Sequence, residues 1–249
     1  MDFTKVKMLL FAVFLCLDAF LFIQWHILEA NVSVYAEPLS DQYASAQSAL
    51  ANSNVHVQAV LPTSYPEQAG LLVVRGVHIH KSVKFPITPV LLLSAKNTAM
   101  NALHTFVVRK IAGGSAYGFL GWTSNQMNRS GVFTQQTGGL PIFSAPLIVS
   151  LHGQAVTGYS QTLLRIGEST KWQKAVISPI NALFSLAQYL QKTKMTVSNA
   201  ITDIRFGYYS ATEYPSGWYL APVWRVHSIR AIFYINALNG EVEVAKNVG

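Results

Sequence analysis

Few residues in this sequence have types and spacings that do chemistry. The one cysteine, Cys16, lies inside an apolar run, so the rest of the chain has no thiol nucleophile, disulfide framework or Cys-ligated metal centre. His78 and His80 stand two apart, which puts both imidazoles on one face of a strand at metal-compatible spacing. No neighbouring carboxylate completes the set, and strand-surface histidines are the simpler reading. Gly113, Gly114, Gly118 and Gly121 are interleaved with aromatic residues and lead to no Lys-Ser/Thr pair, so they form no phosphate cradle. Neither His-Glu-x-x-His nor a Gly-x-Ser-x-Gly elbow occurs. The chain reads as a noncatalytic protein without cofactor or metal.

Asp18 is the residue of greatest chemical interest because of its position. Residues 8–28 form a run of 21, thirteen of them Leu, Ile, Phe or Val, with Asp18 the one formal charge. As a helix the run is ~32 Å long, enough for a hydrocarbon core of about 30 Å. The apolar residues contribute about −0.3 to −0.6 kcal/mol each against about +3 kcal/mol for a central Asp, so insertion wins. Lys5 and Lys7 precede the run, while Glu29, Glu37 and Asp41 follow it. That bias puts the N-terminus in the cytoplasm and the remainder outside. A cleaved signal peptide fits less well, because the small-residue site Val34-Tyr35-Ala36 lies well beyond the run.

A carboxylate inside a bilayer is by default a contact or functional group. Phe11, Leu15, Asp18, Phe22 and Trp25 follow a 4-3-4-3 spacing and so share one seam of the helix. The seam is read as a contact with a partner helix, across which Asp18 hydrogen-bonds a polar group. An isolated anchor that tolerates one Asp is the competing reading.

The elements behind these residues follow from composition and pattern. The 249 residues are 51% hydrophobic and only 12% charged, with a mean hydropathy of +0.29, which excludes a disordered chain. Of 18 Lys+Arg and 11 Asp+Glu, 16 and 9 fall beyond residue 28, so the whole excess of +7 lies outside. Such an exterior has no access to nucleic acid; it suits anionic lipid or wall polymer, and equally a soluble basic surface with no dedicated partner.

Pattern predicts a helix over 38–51 and strands over 54–60, 71–80, 103–110, 116–122 and 131–135. Residues 147–154 and 155–166 read as paired strands with bends at Gly153 and Gly158. Ser178 as N-cap and Pro179 in the first turn start a helix with an apolar stripe at Ile180, Leu183, Phe184, Leu186, Ala187 and Leu190. Strands follow over 201–209, 218–227 and 229–237, the last joined to 241–245 by a type I′ turn at Asn239-Gly240. The expected fold is α+β: one transmembrane helix, then a strand-rich extracytoplasmic domain of antiparallel sheets with a few helices, in two related halves. The expected divisions are a cytoplasmic 1–7, a span 8–28, a linker 29–37, and halves 38–145 and 146–249.

Several fragments of the second half resemble the YycI family. They are Val156-Thr157-Gly158-Tyr159-Ser160-Gln161-Thr162, Ser178-Pro179-Ile180-Asn181-Ala182-Leu183 and Phe206-Gly207-Tyr208-Tyr209. Ala221-Pro222-Val223-Trp224-Arg225-Val226 and the segment from Tyr234 through Asn236, Asn239 and Gly240 to Val242 complete the set. The opening, with its short Met-Asp-aromatic-x-Lys start and a span carrying a central Asp, is similar too.

The resemblance implies a membrane-anchored regulator of a Gram-positive bacterium. It implies action with a YycH-like sister protein and a YycG/WalK-type sensor histidine kinase that governs cell-wall metabolism, and a PepSY-like module at the C-terminal end. Gly158, Tyr159, Gln161, Gly207, Tyr208, Tyr209, Pro222, Trp224, Asn236, Asn239 and Gly240 are read as structural members of the family motifs. A membrane-anchored cell-wall enzyme or protease inhibitor, and an anionic wall-polymer or lipid binder, are the alternatives. From the seam, Asp18→Leu is expected to lower recovery of a membrane partner in co-purification from detergent-solubilised membranes. Unchanged recovery removes the seam.

Overall fold

The computed structural model describes residues 7–8, 11, 13–22, 39–84, 96–124, 128–153, 155–195, 200–211, 218–229 and 231–245. Met1–Ser45 and Ala46–Gly249 are separate compact units. In the first, Lys7, Met8, Phe11 and residues 13–22 are helical and exposed, Leu15, Asp18 and Phe22 among them. Among the described residues no helix is long and apolar enough to cross a membrane. Residues 9, 10, 12 and 23–28 of the expected span, Trp25 included, lie outside the described set, as does the linker 29–37.

The helices are α1 Leu39–Ala51, which crosses from one unit into the next, α2 Lys96–Lys110 and α3 Pro179–Thr193. The strands are β1 His56–Val57, β2 Gln68–Ala69, β3 Leu72–Lys84, β4 Tyr117–Ser124, β5 Asn128–Thr137 and β6 Leu140–His152. They continue with β7 Ala155–Ser169, β8 Lys174–Ala175, β9 Ala200–Tyr209, β10 Trp218–Ser228, β11 Ile232–Asn236 and β12 Val242–Val244.

The second unit follows one plan twice, a helix and then four antiparallel strands paired in chain order. α2 leads into β4–β5–β6–β7, and α3 into β9–β10–β11–β12. β3 pairs with β7 along most of its length and with the start of β10, which joins both meanders in one ten-stranded sheet. A parallel contact, Ile142↔Tyr208, then closes the circuit β9–β10–β3–β7–β6. Apart from that contact and the short parallel pairing of β1 with β9, the pairings are antiparallel. The division expected at 145/146 falls inside β6, whereas the two helix-and-meander plans run over 96–169 and 179–244.

The helix at 179 forms as its local signals require. Ser178 Oγ accepts from Asn181 N at 3.1 Å, Pro179 occupies the first turn, and Ile180, Leu183, Leu186, Ala187 and Leu190 are buried. The segment 103–110, expected as a strand, is instead the end of α2. Phe106, Val107 and Val108 have strand composition, but the spacing of Leu103, Phe106, Val107 and Ile111 is that of a helix face, and all four are buried against β5, β6 and β7. Period overrides propensity here.

The turn at Asn239-Gly240 also departs from expectation. Gly240 has φ +76°, but Asn239 has no positive φ, so the turn is not type I′. Asn236 N donates to Glu241 O and Gly240 N donates to Asn236 O, both at 2.8 Å, closing a four-residue loop. Gly153 does make the β6–β7 turn, at φ +60°. Gly158 lies inside β7 beside a register irregularity, where the pairing with β6 passes from Ser150↔Gly158 to Leu151↔Val156, and a Cβ there would strike the Val83 carbonyl.

One irregularity organises the circuit. β6 pairs with β7 only as far as Leu147↔Gln161, and its register on β5 jumps from Thr134↔Pro146 to Gln135↔Ile142. Phe143, Ser144 and Ala145 are therefore pushed out towards β9. The Gln135 amide replaces the missing strand: its Nε2 donates to Leu164 O at 3.0 Å and its Oε1 accepts from Leu164 N at 2.8 Å. Thr134 Oγ1 donates to Ile142 O, and Ser144 Oγ both donates to Ser210 O and accepts from Ser210 N.

Gln135 is 6% exposed, so water cannot take over these bonds. Gln135→Ala is expected to lower stability by about 2–3 kcal/mol, because both backbone groups of Leu164 lose their partner. Denaturant titration of the detergent-solubilised chain should show a lower midpoint at unchanged slope. An unaltered midpoint would refute the role.

Candidate interaction surface

Alternation along β9–β12 sends one set of side chains to the α3 side and the other to the opposite face. Phe206, Trp224, Val226, Phe233 and Ile235 belong to the buried set. Across the opposite face the register aligns Asp203 with His227 and Ile232, and Arg205 with Arg225, Tyr234 and Glu243. One carboxylate thus meets two guanidiniums: Asp203 Oδ1 accepts from Arg205 Nε at 2.9 Å, and Oδ2 accepts from Arg225 Nη1 at 3.2 Å.

Arg225 is buried and lies 5.6 Å from the ring centre of Phe143, the residue pushed out of β6. Burial lowers its pKa, an effect opposed by Tyr234 and Asp203. Tyr209 and Tyr234 stack at 3.6 Å and 12°, and Phe143, Val223 and Tyr234 pack together beneath. Burial, with help from Glu243 and Tyr234, pushes the Tyr209 hydroxyl up to about 12, so it stays protonated near neutrality.

Beside the stack opens a groove of about 410 Å³ lined by Tyr209, Tyr219, Tyr234, Asn236, Glu241 and Glu243. Tyr219 is 58% exposed there. Rigid aromatic surface, carboxylates and an open rim make this face a candidate for binding.

The motif residues divide by meander. Tyr159 packs in the α2 core with Lys81 Nζ 5.6 Å from its ring centre, and Gln161 Nε2 donates to Ala112 O at 2.7 Å. Gly207 admits β6, since a Cβ there would lie 2.5 Å from Pro141 O and 2.7 Å from the Phe143 ring. Tyr208 packs with Ile142, Leu164 and Trp218. Pro222 sits where the edge of β10 changes partner, from β3 at Trp218–Leu220 to β11 from Val223 onward, so its missing N–H interrupts neither ladder.

Trp224 is fully buried, donates from Nε1 to Ile177 O at 2.9 Å and meets Tyr65 and Phe206 edge-on. Asn236 Oδ1 accepts from Leu238 N, and Asn239 Oδ1 accepts from Glu241 N. Only Tyr209 and Asn236 of the motif set line the groove. Asp203, Arg205, Arg225, Tyr219 and Glu243 were not singled out by sequence; their signal was charged or polar residues alternating with apolar ones inside strands.

Among the described residues no three His, Cys, Asp or Glu side chains could hold a metal together. His80 Nδ1 lies 3.1 Å from Thr162 Oγ1, and the His78 side chain is outside the described set.

His227 pairs with Thr202 Oγ1 at 3.1 Å, and burial, Arg225 and Arg205 lower its pKa against the opposing pull of Asp203. A histidine depressed on folding stays neutral while the unfolded chain takes up a proton, so stability falls as pH drops below about 6.5. His227→Gln is expected to flatten that loss in unfolding midpoints measured between pH 7 and pH 5. An equal slope in both proteins would remove His227 as its source.

The sequence matches the YycI protein family over residues 76–238. The match reaches well into the first half, beyond the fragments quoted above. No match to an individual curated protein was found. An uncharacterized protein from Eubacterium rectale ATCC 33656 is similar in structure at 12% identity and TM-score 0.43, over 63% of this chain and 57% of that one. The chain therefore spans little more than half the length of that protein. The Bacillus megaterium YpeB C-terminal domain is similar at 17% identity and TM-score 0.38, over 66% of this chain and 71% of that one. Both overlaps are partial, and the family match alone, covering well over half of the residues, decides the assignment: the chain belongs to the YycI family.

Proposed function

We propose that this protein is a noncatalytic, membrane-anchored regulatory subunit of a YycG/WalK-type two-component system that controls cell-wall metabolism. Membership of the YycI family over residues 76–238 carries the regulatory reading. The anchor rests on the apolar run 8–28 and its flanking charges, with the domain after it on the extracytoplasmic side.

Two contacts serve the role. The seam of Phe11, Leu15, Asp18, Phe22 and Trp25 engages kinase or sister helices in the bilayer, and the tyrosine-lined face of β9–β12 engages the YycH-like sister outside it. The C-terminal helix-and-meander unit acts as the PepSY-like binding module.

Regulation follows from differential contact: the subunit biases the kinase only as far as it binds one signalling state better than another. An interhelical polar bond of about 1–2 kcal/mol changes the ratio of states several-fold. A complete switch needs about 5.5 kcal/mol, hence the outer face as well as Asp18. Deleting the gene in its host and measuring response-regulator phosphorylation at constant kinase level tests the role. A change of about threefold or more in either direction is expected. Unchanged phosphorylation with the kinase present overturns it.

A further inference from the structure

Trp172 is 73% exposed, although tryptophan has one of the largest apolar surfaces of any side chain. It stands in the connection between β7 and β8, in the run Lys171-Trp172-Gln173-Lys174, all four residues exposed. Lys174 Nζ lies 4.7 Å from the ring centre, so one lysine covers the indole face.

This exposure is not the fraying of a loose loop. Thr170 N donates to Leu71 O at 2.8 Å, and Thr170 Oγ1 accepts from Leu71 N at 3.1 Å and donates to Trp172 O at 3.2 Å. Past the tip, Lys174 and Ala175 pair with Ala69 and Gln68, and Val176 N donates to Glu67 O. Gly70 fits against the loop so closely that a Cβ there would lie 2.8 Å from Thr170 Oγ1 and 2.9 Å from Trp172 O. The backbone is pinned on both sides of the indole, which is held out in water.

A pinned, exposed indole bracketed by two ammonium groups has the chemistry of a membrane-surface anchor. Indole rings favour the headgroup layer, and lysines favour anionic lipid phosphates. A polyanionic wall polymer would satisfy the lysines but offers the indole no apolar phase. Residues 29–45 join the span to the unit Ala46–Gly249. The nine-residue linker 29–37 is at most about 32 Å when extended, and the eight residues after it, at a helical rise of about 1.5 Å each, add about 12 Å. A compact unit of 204 residues, the length of Ala46–Gly249, has a radius of gyration of about 17 Å. The tether therefore holds the outer domain within about its own diameter of lipid, and the membrane is the surface this loop meets at the highest local concentration.

We infer that residues 171–174 dock on anionic phospholipid, Trp172 entering the headgroup layer while Lys171 and Lys174 pair with its phosphates. The inference rests on the anchored reading given above. The test uses the full chain in nanodiscs of phosphatidylcholine alone or mixed with phosphatidylglycerol, with acyl-brominated lipids as quencher. Trp172 emission is isolated as the difference between the wild type and Trp172→Phe. Brominated anionic discs should quench that difference by about half or more, brominated zwitterionic discs by about a tenth or less, and Lys171→Gln with Lys174→Gln should restore it.

Equal access of aqueous iodide to Trp172 in every disc, without brominated-lipid quenching, overturns the inference. Shielding from iodide by soluble polyphosphate alone, again without lipid quenching, overturns it in favour of a polymer. A chain that elutes apart from both discs removes the anchor instead. Brominated anionic vesicles, read in the same way, then decide the loop by itself.

Discussion

The unit Ala46–Gly249 depends on β6 leaving its neighbour. A strand that stayed paired with β7 to its end would satisfy every ladder bond but would never reach β9. By departing at Leu147, β6 carries Phe143 under Tyr234 and Arg225, brings Ser144 to Ser210, and sets Ile142 beside Tyr208. Backbone groups freed in a dry interior must find partners, and here side chains supply them. Gln135 imitates a strand with its amide, while Thr134 caps the Ile142 carbonyl. Gly207 completes the arrangement by having no Cβ where Pro141 and Phe143 pass.

The tyrosine-lined face of β9–β12 inherits its properties from that departure. Arg225 is desolvated beside the Phe143 ring, and its charge is tolerable because Asp203 accepts from it. Arg205 shares the same carboxylate with its side chain 42% exposed. The groove nearby presents Tyr209, Tyr219 and Tyr234, and tyrosine gives large contact area at low conformational-entropy cost. Glu241 and Glu243 place negative charge beside it on a chain that is basic overall. The groove is thus an acidic spot on a cationic body.

What could be read from the sequence was what is settled within a few residues. Ser178 and Pro179 start a helix through bonds made inside one turn, so the prediction and the structure agree. Residues 103–110 combine strand-like composition with a helical period at Leu103, Phe106 and Val107, and the period decides the structure. Asn239-Gly240 marked a turn correctly but not its type, because Asn239 bonds Glu241 within a four-residue loop that Asn236 also closes. The bend of β6 has no local signal, because its cause is β9, some sixty residues later. The arginine cluster was hidden for the same reason, since Asp203 and Arg225 meet only through the register of two strands.

A ring of five strands has no seam along which its two meanders could hinge. β3 is held on one side by β7 and on the other by β10, and the Ile142 contact shuts the remaining gap. An open pair of sheets would answer a pull or a bound partner by flexing, and part of the displacement would be absorbed between them. A closed hoop passes the displacement on. Whatever grips the tyrosine face therefore turns the whole hoop as a lever, and the far end of the domain moves by the same angle.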